Sequence, residues 1–230
     1  MGLDWVVSVD LICGLPHQSL HGLIGDLETL LAVGVNGFSL YELLIYPQNQ
    51  RWALRHGLDH TERHQPNYWM FLAAADLLER RGYRKNLFNH WADERDHNVY
   101  FTFPSREEDL LAVGAIADGV FGDYHYRHPR YAPYLESGRN GLPGLEGGLR
   151  RPPSASRIQP LVTGILAAHI PRDQVTFLAS QHGGASLIER WLRCRLMEPG
   201  REGGLRLTSS GSWFAGNLVQ EVSQLGRADH

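Results

Sequence analysis

The stretch that decides the fold is Trp5-Val6-Val7-Ser8-Val9-Asp10-Leu11-Ile12-Cys13, which Gly14-Leu15-Pro16 brings to an end. Dense valine with one interior acid is typical of a buried strand in a parallel sheet. A domain rarely begins on a buried central strand that nothing precedes. The stretch therefore also predicts earlier βα units, carried by an N-terminal companion segment of a longer protein.

Outward from this strand, the next residues predict a helix and a second strand. Leucine and isoleucine recur with a helical period over residues 20–31. Ser19 is placed to cap the helix and Gly34 to end it in a left-handed conformation. Residues 37–46, GFSLYELLIY, predict another buried strand, which Pro47 ends. Strand, helix and strand at this spacing indicate a βαβ unit.

The rest of the chain predicts an extension, a linker and a helical end. The helical period returns over residues 67–78, and residues 83–104 predict irregular strands. Glycines within 110–124 permit bulges or close backbone approach. We expect three units, namely residues 1–137, a Gly/Pro-rich linker at 138–156, and residues 157–230. Helix, tight turn, short strand and helix in the last unit indicate a mostly helical, winged-helix-like fold.

Composition excludes several classes of protein. The 230 residues carry a formal net charge of −3 and a single lysine, Lys85, so a basic stripe for nucleic acid is missing. No apolar run reaches the roughly 20 residues of a membrane span. The N-terminus has no positive charge before its apolar run, so it does not predict a signal peptide. We expect a cytoplasmic protein whose two cysteines, Cys13 and Cys194, are reduced.

Four stretches, taken in order, resemble one known family. They are Asp10-Leu11-Ile12-Cys13-Gly14-Leu15-Pro16 followed by Gln18; Ser39-Leu40-Tyr41-Glu42-Leu43 followed by Pro47; the region from Tyr83 to Asp123, with Trp91-Ala92, His97-Asn98, Tyr100, Ala112-Val113-Gly114-Ala115 and Gly122-Asp123; and Leu205-Arg206-Leu207-Thr208 with Gly211. Each motif is weak alone. Together they resemble the oxygen-independent coproporphyrinogen III oxidase-like radical-SAM proteins.

The resemblance implies a fold, cofactors and a substrate class. The fold would be α/β, the C-terminal part of a partial (β/α) radical-SAM barrel followed by the winged-helix-like unit. The family uses S-adenosylmethionine and a [4Fe-4S] cluster, which supply its radical chemistry, on a tetrapyrrole partner. The first expectation is oxidative decarboxylation of coproporphyrinogen III to protoporphyrinogen IX. His90-Trp91-Ala92 looks more like the anaerobic haem-degrading methyltransferase branch, and a haem chaperone is a third alternative.

One departure from the family limits these expectations. The family's C-x-x-x-C-x-x-C motif is missing, and a cluster of this type takes three protein thiolates whereas this chain has two cysteines in all. The sequence therefore resembles a fragment that is inactive alone, and no catalytic residue is assigned.

Four residues are candidates for binding S-adenosylmethionine: Asp10, Glu42, Leu44 and Asp118. Asp10 matches a family residue that contacts this cofactor, and ligands of parallel α/β folds bind at strand C-termini; capping a loop is the alternative. Glu42 or its neighbour Tyr41 should face the same site, but not both, because successive strand residues alternate. Leu44 falls where relatives contact the cofactor, unless it is core. Asp118 adjoins glycines that let the backbone approach a ligand or simply bulge.

Four other residues are candidates for binding the tetrapyrrole: His90, His97, Asn98 and Arg127. His90 could donate a proton or brace a loop through a bond to backbone. Arg127 suits a propionate, because a guanidinium binds a carboxylate through two bonds, although an exposed polar loop explains it as well. The segment holding the two histidines lacks the H-x-x-x-H and H-E-x-x-H patterns of metal sites, so no metal site is predicted.

Overall fold

The structure, a computed structural model, describes residues 5–58, 64–105, 108–139, 141–151 and 155–225. Its first part contains strands β1 (Ser8–Cys13), β2 (Gly37–Glu42), β3 (Arg84–Leu87) and β4 (His90–Ala92), and helices α1 (Leu20–Ala32), α2 (Gln50–Arg55), α3 (His64–Arg80) and α4 (Val99–Ser105). The strands form one sheet in the order β1-β2-β4-β3. β1 and β2 are parallel, which confirms the βαβ unit, and β4 runs antiparallel to its neighbours.

The ends of α1 are set by the residues that the sequence indicated. The Ser19 hydroxyl accepts a hydrogen bond from the Gly22 amide at the N-terminus. Gly34 follows the helix with φ +83°, a conformation that glycine adopts without strain. α1 and α3 pack together on one face of the sheet and enclose the first core, whose largest members are Leu23, Leu27, Phe38, Leu40, Phe71, Leu78 and Trp91.

Strand β1 is half-buried, where the sequence predicted a buried strand. Val9, Leu11 and Cys13 face the core, whereas Asp10 and Ile12 point to the opposite face and are exposed. β1 has a single strand neighbour among the described residues, so it forms an edge of the sheet. A run this rich in apolar residues does not distinguish an edge strand from a central one.

Two helices of this part were missed. α2 is only six residues long, and α4 lies where irregular strands were predicted. α4 begins after Asn98, whose φ is +45° and whose carbonyl accepts hydrogen bonds from the Phe101 and Thr102 amides. The strand prediction holds for β3 and β4, which pair antiparallel with a bulge in β3 between Lys85 and Leu87.

A second, smaller sheet follows. β5 (Asp118–Phe121), β6 (Tyr124–Arg127) and β7 (Gly147–Arg150) form an antiparallel meander, and α5 (Tyr131–Gly138) lies between β6 and β7 in the chain. A Cβ on Gly119 would lie 2.2 Å from the Tyr126 ring, so this glycine does permit the close approach that was predicted. β7 falls within the stretch expected to be a linker.

The last part has the winged-helix-like plan. Its elements are α6 (Ala155–Leu166), β8 (His169–Ile170), α7 (Arg172–Ser180), α8 (Gly184–Arg193), β9 (Met197–Pro199), β10 (Leu205–Leu207), α9 (Ser209–Trp213) and α10 (Ala215–Leu225). The strands pair in the order β8-β10-β9. Leu161, Ile165, Trp191 and Leu218 are among the residues of a separate second core. None of the helices described is both long and apolar enough to cross a membrane.

Candidate functional site

A cleft of about 960 Å³ opens at the C-terminal end of β2. We call it the strand-end cleft, and it is lined by Tyr41, Glu42, Leu44, Tyr68, Phe71, Phe88, Asn89, Trp213, Phe214, Gly216 and Asn217. Six of these eleven residues are aromatic. β2, α3, the turn before β4 and the α9–α10 junction therefore converge on one predominantly apolar site with a few polar groups, as small-molecule sites usually do.

The loop after β1 stands beside this cleft and explains the first motif. Gly14 has φ +97°, and a Cβ there would lie 2.3 Å from the amide oxygen of buried Asn67. The Gln18 side chain accepts hydrogen bonds from the Gly14 and Leu15 amides and donates one to the Ile12 carbonyl. Glycine and glutamine four positions apart thus fold the chain tightly over the end of β1.

Glu42 is held at the rim of the cleft by its neighbour on α3. The Asn67 amide donates to Glu42 Oε1 over 3.3 Å. Cys13 lies opposite Glu42 in the parallel register and is fully buried. Burial, with a smaller contribution from the Glu42 charge, raises the pKa of the Cys13 thiol to about 12. This thiol therefore stays protonated at neutral pH.

The alternation argument for Tyr41 and Glu42 was wrong. Both side chains line the strand-end cleft. Glu42 is the last residue of β2, and beyond the end of a strand a cleft is reached from both faces. Asp10 lies on the same face of the sheet as Tyr41. Burial of the Tyr41 phenol, and to a smaller extent the negative charge of Asp10, raises the pKa of this phenol. Leu44 is half-exposed on the cleft, so it is not a core residue.

The aromatic wall joins residues that are far apart in sequence. Trp213 packs edge-on against Phe71, with centroids 5.1 Å apart, and against Tyr68 at 5.8 Å. The Tyr68 and Ser210 hydroxyls are hydrogen-bonded at 2.6 Å. Phe88 has φ +53° and stacks on Phe101 at 5.6 Å. The C-terminal unit therefore forms one wall of the cleft and α3 the other.

His90 lies in a buried hydrogen-bonded cluster on the sheet face opposite the helices. Its Nδ1 is 2.9 Å from the Ser39 hydroxyl and its Nε2 is 2.9 Å from Asp96 Oδ2, which also accepts a bond from Ser8. A Cβ on Gly37 would collide with Asp96 and His90, so glycine is required beside the cluster. These bonds agree with the alternative that His90 braces a loop, except that its partners are the side chains of Ser39 and Asp96 and not backbone groups.

His97 and Asn98 lie on the loop that carries Asp96. His97 is exposed and its carbonyl accepts a bond from the Thr102 hydroxyl. The Asn98 amide nitrogen donates to Asp96 Oδ1, and the Asn98 side chain donates to Asn86. Neither residue lines the strand-end cleft. A substrate role for them remains a prediction.

Asp118 and Arg127 bind each other. Two parallel hydrogen bonds of 2.7 Å join the guanidinium to the carboxylate across the β5–β6 hairpin. The hydrogen bonds from Arg127 hold the pKa of the half-exposed Asp118 carboxyl below its usual range. The two residues were expected to bind cofactor and substrate separately. They also lie outside the strand-end cleft, and both roles remain predictions.

The residues present do not fit an iron–sulfur cluster. Of the two cysteines, Cys13 is buried as a thiol, while Cys194 is exposed in the winged-helix-like unit at the end of α8. A cluster needs thiolates that converge. In the part of the chain that the structure describes, no group of three His, Cys, Asp or Glu side chains is arranged to hold a metal ion.

Of the residues predicted to bind the cofactor, Glu42 and Leu44 line the strand-end cleft, and their binding role remains a prediction. Most of the other lining residues were not among the predicted site residues. Tyr68 and Phe71 were interpreted only as part of a helix, and Trp213 and Phe214 were not considered. The available signal was the high density of aromatic residues at both positions. Their proximity depends on how α9 packs on α3, which no local pattern encodes.

Comparison with known proteins gives two matches. No family model matches the chain. Anaerobilin synthase from Escherichia coli O157:H7 is 25% identical over 225 residues, which cover 95% of this chain and 49% of that protein. The fold is similar to that of coproporphyrinogen III oxidase from Escherichia coli, a radical SAM enzyme, with a TM-score of 0.69 at 15% identity. That similarity covers 94% of this chain and 54% of the solved one.

The chain thus spans about half the length of the relatives it matches. The fold expected from the resemblance, a C-terminal part of a radical-SAM barrel followed by a helical unit, is confirmed. Joined with the four motifs, the similarity along nearly the whole sequence supports the resemblance of this chain to the coproporphyrinogen III oxidase-like radical-SAM proteins.

Proposed function

We propose that the strand-end cleft binds a tetrapyrrole, as the substrate-binding part of a radical-SAM protein of this family. The observation that carries the proposal is the aromatic lining of a cleft at the C-terminal end of parallel strands. Ligands of parallel α/β folds bind at this end. Aromatic rings stack on flat conjugated ligands, and about 960 Å³ is within the usual volume of a small-molecule site.

S-adenosylmethionine would bind beside the tetrapyrrole. Glu42 is the last residue of β2 and lines the cleft, whereas Asp10 lies in the middle of β1 on the face of Tyr41. Carboxylates accept hydrogen bonds from cofactor hydroxyls. When bound with a cluster, this cofactor supplies a radical. These residues do not fit a cluster, so its ligands would come from a companion segment.

One edge of β1 pairs with no other strand that the structure describes, and this edge supports such a companion segment. Trp5, Val6 and Ile12 on or next to this strand are 69%, 46% and 38% exposed. Exposed apolar edges are normally covered or paired. Supplying the segment in trans is expected to slow hydrogen exchange of the β1 amides, and unchanged exchange would contradict the proposal.

Between the two enzymatic branches, sequence favours haem degradation. The match to anaerobilin synthase extends along nearly the whole chain, and His90-Trp91-Ala92 resembles the haem-degrading branch. Oxidative decarboxylation of coproporphyrinogen III is the second candidate, supported by the fold similarity to coproporphyrinogen III oxidase. A haem chaperone is the alternative that requires no chemistry.

The test is an absorbance titration of the chain with haem and, separately, with coproporphyrin III. We expect weak, saturable binding, tighter for haem, that Leu44→Ala and Phe214→Ala each reduce several-fold. Both residues are partly exposed on the cleft. Tyr131→Ala, which removes an exposed ring outside the cleft, is the matched control.

Equal losses in all three variants would place the ligand elsewhere. No saturable binding of either tetrapyrrole would overturn the proposal. Tight one-to-one haem binding by the chain alone would instead favour the chaperone.

A further inference from the structure

A second cleft, of about 1140 Å³, lies between the first sheet and the winged-helix-like sheet. One wall is the end of α3 with β3, and the other is formed by β8, β9, β10 and the turn at Arg201–Gly203. It is separate from the strand-end cleft and shares no residue with it. We call it the inter-sheet cleft.

Lys85 on the wall of this cleft carries a buried amine. Its Nζ has no hydrogen-bond partner among the described residues. It lies 5.4 Å from the centroid of the Trp91 ring, a cation–π contact. The nearby Glu79 carboxylate accepts a hydrogen bond from Trp91 Nε1. A buried polar group without a hydrogen bond destabilises the folded protein, so such groups are uncommon and call for an explanation.

The charged residues around Lys85 provide no hydrogen-bond acceptor for its amine in the described part of the chain. Burial lowers the pKa of Lys85 to about 8, against a smaller opposing effect of Glu79. From the opposite wall, Glu198 is engaged by Arg206. The four cationic side chains that line the cleft, Arg84, Lys85, Arg201 and Arg206, exceed its three carboxylates, Glu79, Glu198 and Glu202, by one.

We propose that the inter-sheet cleft binds a small anion, a carboxylate or a phosphate, through Lys85. An anionic oxygen is the strongest acceptor that an ammonium group can meet. The flexible four-carbon stem of lysine lets the amine turn from the Trp91 ring into the cleft. Arg84 and Arg201 also line the cleft, and their positive charge favours an anion there. This site is independent of the tetrapyrrole proposal.

Lys85 is the sole lysine, so its side-chain nitrogen gives a single signal in protein labelled with ¹⁵N-lysine. The signal is followed against pH in sodium phosphate, sodium succinate and sodium chloride of equal ionic strength. In chloride we expect a pKa near 8. Saturating phosphate or succinate should raise it by about one unit, because a bound anion favours the charged amine. The anion that raises the pKa of Lys85 more, phosphate or succinate, identifies whether the cleft prefers a phosphate or a carboxylate.

Variants separate anion binding from folding. The saturable rise in melting temperature with phosphate or succinate should vanish in Lys85→Met and persist in Lys85→Arg. Arg80→Met removes an exposed, Asp76-paired cation of α3 outside the cleft and should behave as the wild type. The proposal is overturned if neither anion acts beyond chloride, or if Lys85→Met responds as strongly as the wild type.

Discussion

His90 Nε2 lies 2.9 Å from Asp96 Oδ2, and the two side chains are only 6% and 8% exposed. On the other side of the ring, Nδ1 meets the Ser39 hydroxyl. Asp96 also accepts hydrogen bonds from the Ser8 hydroxyl and the Asn98 amide. The cluster therefore joins β1, β2 and β4 to the loop after β4. It thereby ties β1, which is an edge strand in the described part of the sheet, to the strands beside it.

Removing the Asp96 carboxylate should be costly. Asp96→Ala leaves the buried His90 ring and the Ser8 hydroxyl without their shared partner, and we expect the free energy of unfolding to fall by about 3 kcal/mol. Asp76→Ala is the control, because it breaks only an exposed ion pair with Arg80 and should cost less than about 1 kcal/mol. Urea denaturation measures both. Similar losses would show that the cluster adds nothing beyond a surface pair.

The same carboxylate should make stability depend on acid pH. Burial would raise the pKa of Asp96, but its hydrogen bonds outweigh burial and lower the pKa below the ordinary value of 3.8. The unfolded chain therefore takes up this proton first as the pH falls. The stability from Asp96 is complete above about pH 4 and is lost as the pH falls through the folded pKa. Unfolding free energies of wild type and Asp96→Asn should converge in that range, and a constant difference would contradict the assignment.

Local pattern was sufficient for the first βαβ unit and the winged-helix-like plan. The leucine period and the positions of Ser19 and Gly34 determine α1 because helix ends are encoded within a few residues. The exposure of β1 was not predictable, since an apolar strand has the same sequence at an edge as in the centre. Short α2 offered too few residues for a period to be recognised.

The site was predictable only where the chain itself passes the end of a strand. Glu42 ends β2 and Leu44 lies two residues beyond it, so the sequence could place both of them at the strand end. Trp213 reaches the same cleft by packing on Phe71. The two residues are 142 positions apart, and a local sequence period cannot predict a contact at that separation. The contact between His90 and Asp96 was not predictable, because the turn between them takes its direction from tertiary packing.

Gly14 should not tolerate a side chain. Gly14→Ala imposes a positive φ on alanine, at about 1–2 kcal/mol, and places Cβ against the Asn67 amide. Gly34→Ala, with φ +83° and open space around the Cβ position, is the matched control for the backbone effect alone. We expect the Gly14 variant to lose more unfolding free energy than the control. Adding Asn67→Ala should restore part of the difference, and strictly additive losses would contradict the contact.

Anaerobic reconstitution of the chain with iron and sulfide should give no stoichiometric cluster absorbance. Two thiols cannot replace three, and buried Cys13 keeps its proton at neutral pH. Iron and labile sulfide per chain, measured after desalting, are the quantities to determine. The Cys13→Ser, Cys194→Ser double variant gives the background from adventitious iron. A stable four-iron cluster above that background would refute the assignment of cluster binding to a companion segment.

Lys85→Met should change the dependence of stability on alkaline pH. Because the folded pKa of about 8 lies below the ordinary 10.5, the unfolded chain holds this proton longer, so Lys85 lowers stability most below pH 8. This destabilisation, roughly 3 kcal/mol at most, fades as the pH rises towards 10.5.

Cys13 acts in the opposite direction, since its raised pKa makes stability fall above about pH 9. Both proteins contain Cys13, so its effect cancels when the unfolding free energy of the wild type is subtracted from that of Lys85→Met. Measured by urea denaturation from pH 7 to 10, the stability advantage of the methionine variant should shrink steadily, and an advantage independent of pH would mean that Lys85 is not desolvated.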